Sequence, residues 1–124
     1  MADAAVDFRL LTGKQEVISY SAGDVIFDEG SSERLAYIIQ SGHVEIRHGD
    51  AVLERLDPGN IFGEMELIDP TERSACAIAI DDVGLVSLDQ RAFLTLIGKH
   101  PKFALNILRI LTRRLRRTDE RKFH

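Results

Sequence analysis

From Lys14 to Leu88 the chain is built of short apolar runs separated by glycine turns at Ala22-Gly23-Asp24, Glu29-Gly30, Ser41-Gly42, His48-Gly49-Asp50 and Asp57-Pro58-Gly59. Breaks roughly 7 to 12 residues apart are the spacing of short strands in a sandwich or barrel. The runs Glu16–Tyr20, Val25–Phe27, Tyr37–Ile39, Val44–Arg47, Val52–Leu56, Ala75–Ile80 and Gly84–Leu88 are rich in β-branched and aromatic residues and are predicted as strands. Val44 and Ile46 alternate with Glu45 and Arg47, which predicts one buried and one wet face. His48-Gly49-Asp50 reads as a hairpin turn, with glycine free to take a positive φ.

After Leu88 the apolar period lengthens to that of helices. Asp89 is a suitable N-cap for a helix over Gln90–Ile97 with Phe93, Leu94 and Ile97 on its apolar stripe, ended by Gly98. Pro101 opens a second helix that runs to about Lys122. Its predicted inner stripe is Ala104, Ile107, Leu108, Leu111, Leu115 and Thr118, widened near the start by Phe103 and Ile110. No linker or repeat divides the chain, so residues 1–124 are expected to form one domain, with about 14–88 as the β part and about 89–122 as C-terminal helices.

At 124 residues only one compact core is affordable, and the single cysteine, Cys76, excludes an internal disulfide, a four-thiolate cluster and a Cys-rich zinc site. No apolar run approaches the roughly 18 residues of a membrane span, and the acidic N-terminus does not read as a signal peptide, so a cytoplasmic protein is expected. The net charge of −4 argues against a domain devoted to nucleic acid, yet Arg109 to Lys122 holds seven basic and two acidic residues. That run reads as a solvated helix face or as a surface for a partner.

The chemistry concentrates in Phe62-Gly63-Glu64-Met65-Glu66-Leu67-Ile68, followed by Asp69 to Ala75, a connection between strands. Gly63 admits close backbone approach, and Glu64–Ile68 fits one helical turn whose N–H groups attract an anion. Arg73, with Ser74 beside it, offers a planar fork suited to phosphate oxygens, whereas the Glu64 carboxylate suits a sugar hydroxyl. One nucleotide supplies both groups. The four histidines form no His-x-His pair with a downstream Glu, and Cys76 has no matched histidine, so neither a metal site nor a catalytic site is expected.

With its cassette Phe62-Gly63-Glu64 and Arg73-Ser74-Ala75, and with Gly23-Asp24-Val25-Ile26 and Tyr37-Ile38-Ile39-Gln40-Ser41-Gly42 upstream, nearly the whole chain resembles a cyclic nucleotide-binding domain, the module of the bacterial catabolite activators and of cyclic-nucleotide-dependent kinases and channels. The resemblance implies a mainly β fold with flanking helices, an antiparallel, jelly-roll-like β-roll (a double-stranded β-helix) followed by C-terminal helices. It implies that Glu64 accepts from the ribose 2′-hydroxyl, that Arg73 neutralises the cyclic phosphate, and that backbone N–H groups around Gly63, Glu64, Met65 and Ser74 complete the cradle. The base is expected against Ile46 and Leu53, with Thr118 reaching its edge from the last helix. Ser74, found at this place in the catabolite activators, favours cAMP over cGMP.

Two residues depart from the family pattern. Glu66 replaces a small apolar residue and would weaken phosphate binding unless it turns to solvent; Glu72 replaces a proline. The expected function is reversible ligand sensing without catalysis and without a cofactor. A protein partner or a second copy is expected at the C-terminal helix; direct sequence-specific DNA binding is not, since no helix-turn-helix follows. The alternative is a ligand-free member of the fold that docks partners through its basic helix.

Overall fold

The computed structural model describes residues 16–69 and 72–122, with side chains of the last helix described through Arg116. Eight strands form the body: β1 (Val17–Tyr20), β2 (Val25–Phe27), β3 (Ala36–Ser41), β4 (Val44–His48), β5 (Ala51–Leu56), β6 (Ile61–Phe62), β7 (Cys76–Ala79) and β8 (Val83–Leu88). They pair antiparallel into two four-stranded sheets, ordered β1-β8-β3-β6 and β2-β7-β4-β5. A short helix, α1 (Glu64–Ile68), interrupts the strands, and α2 (Gln90–Lys99) and α3 (Pro101–Lys122) follow them. This is the β-roll with C-terminal helices that the turn spacing and the resemblance implied. The two-residue β6 escaped prediction because its two apolar residues carry no period.

Within the first sheet β3 is buried on both faces over Ala36–Ile39, which explains why it reads Ala-Tyr-Ile-Ile with no polar alternation. Tyr37 and Ile39 join Val83 and Leu85 against the second sheet, together with Phe27, Val44, Phe62 and Ala77. Ala36 and Ile38 join Val86 and Leu88 on the other face, against Phe93, Leu96, Phe103, Ile107 and Ile110 of the helices. β3 and β8 thus contribute alternate side chains to two cores. Phe93 of α2 and Phe103 of α3 meet edge to face, with centroids 5.8 Å apart.

The helices differ in detail from their predicted faces. Asp89 does cap α2, accepting from the Ala92 N–H at 2.8 Å, but Gly98 lies inside the helix. The stop comes at His100, which Pro101 forces out of the helical region (φ −134°). Leu94 and Leu108 point outward, 58% and 60% exposed. The inner line of α3 is Phe103, Ile107 and Ile110, and the next residue on it is Arg114. An arginine in an apolar phase shifted the predicted stripe by one position.

In the second sheet the alternation of β4 holds, with a qualification. Val44 is fully buried and Glu45 sits on the opposite face, but Glu45 is only 4% exposed because Arg47 and Arg55 lay their guanidinium groups across it. Their proximity keeps its carboxyl below the usual range. β4 and β5 form the expected hairpin, turning at Gly49 with φ +58°.

Gly42, at the β3–β4 turn, has φ +82°, and a Cβ there would stand 2.2 Å from the Asp82 carbonyl oxygen. Nothing in that backbone is free to yield. Gly42→Ala is expected to cost about 2 kcal/mol or more, measured as a lowered midpoint of urea unfolding with unchanged slope.

Candidate functional site

Phe62 to Glu66, with Ser74 and Ala75, form one wall of a cavity of about 540 Å³, within the range of small-ligand pockets. The barrel side contributes Phe27, Ile46, Leu53 and Glu54, the cassette Phe62, Gly63, Met65, Glu66, Ser74 and Ala75, and α3 Leu111, Arg114 and Leu115. The sequence-predicted residues Ile46, Leu53, Phe62, Gly63, Met65, Ser74 and Ala75 are thereby brought together. Glu64 and Arg73 lie just behind that wall. Thr118 falls outside the described side chains.

Local sequence explains the wall. Gly63 takes the left-handed conformation (φ +79°) that turns β6 into α1, and a Cβ there would lie 3.0 Å from Arg73 Nη1. The glycine therefore serves both the turn and the guanidinium. Residues 30 and 31 fix the other end: the Arg73 N–H donates to the Ser31 carbonyl and the Gly30 N–H donates to the Arg73 carbonyl, both at 2.8 Å. Phe27, Tyr37 and Phe62 form an aromatic group beneath, with Tyr37 and Phe62 centroids 5.3 Å apart.

Arg73 is held with its side chain 1% exposed. Nη1 donates to the Gly63 carbonyl (2.8 Å) and to Glu66 (2.5 Å), and Nη2 to Glu33 (2.9 Å) and the Leu35 carbonyl (2.5 Å). The guanidinium also stacks over the Phe27 ring at 4.2 Å, a cation–π contact. Burial and the nearby Glu33 push the Tyr37 phenol above its ordinary range. Glu66 does not turn to solvent, which was the condition for its harmlessness; it turns to Arg73 and is 12% exposed.

Glu64 is fully buried and is met by Arg114 of α3, which donates from Nη1 to its Oε1 and from Nη2 to the Ile61 carbonyl at 3.2 Å. Arg114 Nε lies 3.3 Å from Glu54 on β5. Burial raises the Glu64 carboxyl above the usual range, and Arg114 is the main influence pulling it back. Two buried polar atoms, Oε2 of Glu64 and Nε of Arg73, have no hydrogen-bond partner among the described residues. Glu64 and Arg73 are not paired with each other.

Arg114, Glu33 and Glu54 went unnoticed as site residues. For Arg114 a signal existed, four residues beyond Ile110 and seven beyond Ile107, in a phase otherwise apolar. Glu33 and Glu54 carry no local pattern, since only the tertiary fold brings Glu33 to Arg73 and Glu54 to the cavity.

This geometry agrees with comparison to known proteins. The family model for the cyclic nucleotide-binding domain matches residues 17–100. The chain belongs to the cyclic nucleotide-binding domain family. The cyclic AMP receptor protein of Thermus thermophilus is 38% identical over 105 residues, which are 81% of this chain and 49% of that protein. The crystal structure of the Thermus thermophilus catabolite activator protein superimposes with a TM-score of 0.77 at 37% identity, over 86% of this chain and 53% of the other. A chain solved under the description "A cyclic-GMP-dependent signalling pathway regulates bacterial phytopathogenesis" does so with a TM-score of 0.77 at 26% identity, over 90% of this chain and 97% of the other. The chain spans about half the length of the curated relatives it matches. No described helix is long and apolar enough to cross a membrane.

Because Glu64 has its carboxyl raised by burial, its contribution to stability is fully present below the ordinary carboxylate range and is lost as pH rises through the raised value. Removing Arg114 raises that value further and leaves a buried charge unanswered at higher pH. Arg114→Ala is expected to lower unfolding stability by about 3 kcal/mol at pH 8 and by clearly less at pH 5. Adding Glu64→Gln to that variant restores most of the loss at pH 8, read by urea unfolding at both values.

Proposed function

We propose that the domain reversibly binds a cyclic purine nucleotide, cAMP in preference to cGMP, and signals its presence without performing chemistry on it. The observation that carries this reading is the pair of buried atoms without a hydrogen-bond partner among the described residues, Glu64 Oε2 and Arg73 Nε, one acceptor and one cationic donor behind the same cavity wall. A sugar hydroxyl donates to the first and a phosphate oxygen accepts from the second; a nucleotide carries both at one end. The apolar wall of Ile46, Leu53, Leu111 and Leu115 suits the base at the other. Ser74 at the rim and the name of the Thermus thermophilus relative favour cAMP.

Arg114 couples the site to α3, because the carboxylate proposed to hold the ribose is already held by that helix. A hydroxyl arriving at Glu64 changes what Arg114 must satisfy, so the ligand favours one position of α3 over another. A Thr118 contact with the base would act in the same sense. Output then passes through α3 to a protein partner or a second copy, for which the outward Leu105 and Leu108 supply apolar surface.

Calorimetric titration with cAMP and cGMP tests the reading. cAMP is expected to bind more tightly and to raise the melting temperature. Arg73→Ala is expected to weaken binding by about tenfold or more, since a buried phosphate loses its charge-assisted donor. Equal affinity would remove Arg73 from the site, and failure of both the native protein and variants relieved of the Glu66 carboxylate to bind either nucleotide would favour a partner-docking module that has lost its ligand.

A further inference from the structure

Arg73 has five N–H donors, and the four on its Nη atoms are all committed: Gly63 and Leu35 carbonyls take two, Glu66 and Glu33 carboxylates the others. Only Nε–H is left, which permits one bond where a two-pronged grip on phosphate needs two. One of the four partners must therefore leave. The carbonyls are fixed in the backbone. Glu33 does not line the cavity, whereas Glu66 does and stands on the cavity side of a guanidinium that is itself 1% exposed. A carboxylate and a phosphate at the same cation also repel each other.

We propose that Glu66 is a built-in competitor for the ligand's phosphate: its carboxylate neutralises Arg73 in the resting domain, and an anionic ligand binds only by displacing it. This rests on the nucleotide reading above and deepens it, because it assigns the affinity of the site to a residue on its own wall. The binding threshold is then set by the exchange of one anion for another at Arg73. Glu33 stays in place through that exchange and keeps the guanidinium oriented.

The test is calorimetric titration of cAMP into the native domain, Glu66→Gln, Glu66→Ala and Glu33→Gln, with melting curves to establish that each is folded. Both Glu66 variants are expected to bind about tenfold more tightly, equivalent to about 1.4 kcal/mol, and Glu33→Gln to bind no more tightly than the native protein. Two Glu66 variants are included so that a loss of folding in one leaves the other to decide. Binding by the Glu66 variants alone, with none by the native protein, supports the proposal in its strongest form. Native binding with unchanged or weaker affinity in the Glu66 variants overturns it while leaving the nucleotide reading intact. An equal gain in Glu33→Gln also overturns it, by showing general charge relief in place of displacement. If no version binds cAMP or cGMP, the nucleotide reading fails and the competitor falls with it.

Discussion

A guanidinium placed under a loop and away from water must have its charge balanced and its N–H groups answered, or the segment that carries it does not stay folded. Much of the local architecture around Arg73 meets that requirement. Gly63 lacks a Cβ so that the guanidinium can lie against its carbonyl, residues 30 and 31 clamp the main chain on either side, and Phe27 offers a ring face below. Glu33 and Glu66 come from opposite directions to balance the charge. The cavity wall is the outer surface of this arrangement.

The second buried charge is treated differently. Glu64 draws its counter-ion from α3, fifty residues away in sequence, and that ion also reaches Glu54 on β5 and a carbonyl of β6. The last helix is therefore joined to the barrel at two kinds of contact: the apolar line Phe103, Ile107 and Ile110, and one polar node a turn beyond it at Arg114. The apolar contacts are non-directional, while the node depends on what Glu64 is asked to hold. In a family of ligand sensors, that division places sensitivity past the middle of the helix and permanence at its start.

How much of this was legible in sequence follows from the range of the interactions. Strands bounded by glycine turns, the N-cap at Asp89 and the hairpin at Gly49 are set by neighbours and appear where the pattern places them. The cassette was readable because its glycine, glutamate and arginine sit close together in one connection. What could not be read is where a long side chain turns. Glu66 had two options, solvent or Arg73, and the choice depends on a guanidinium located by β2, β3 and α1 together. The outward Leu94 and Leu108 misled for the related reason that an apolar residue on an amphipathic helix marks no direction by itself. Phe103 and Ile110 were read as a widening of the stripe, although with Ile107 they are the line that packs. Ser74 and Thr118 differ again, since selectivity for a base depends on contacts that the chain alone does not display.

The doubly covered β3 has one further implication. Its side chains go by turns to the inter-sheet core and to the helix core, so Tyr37 and Ile38, bonded neighbours, report to different halves of the molecule. Gaining or losing a single residue in this strand would exchange the two sets, sending a phenol among the helices and removing the ring that stacks on Phe62. The strand is thus a party wall that evolution can repaint but not shift.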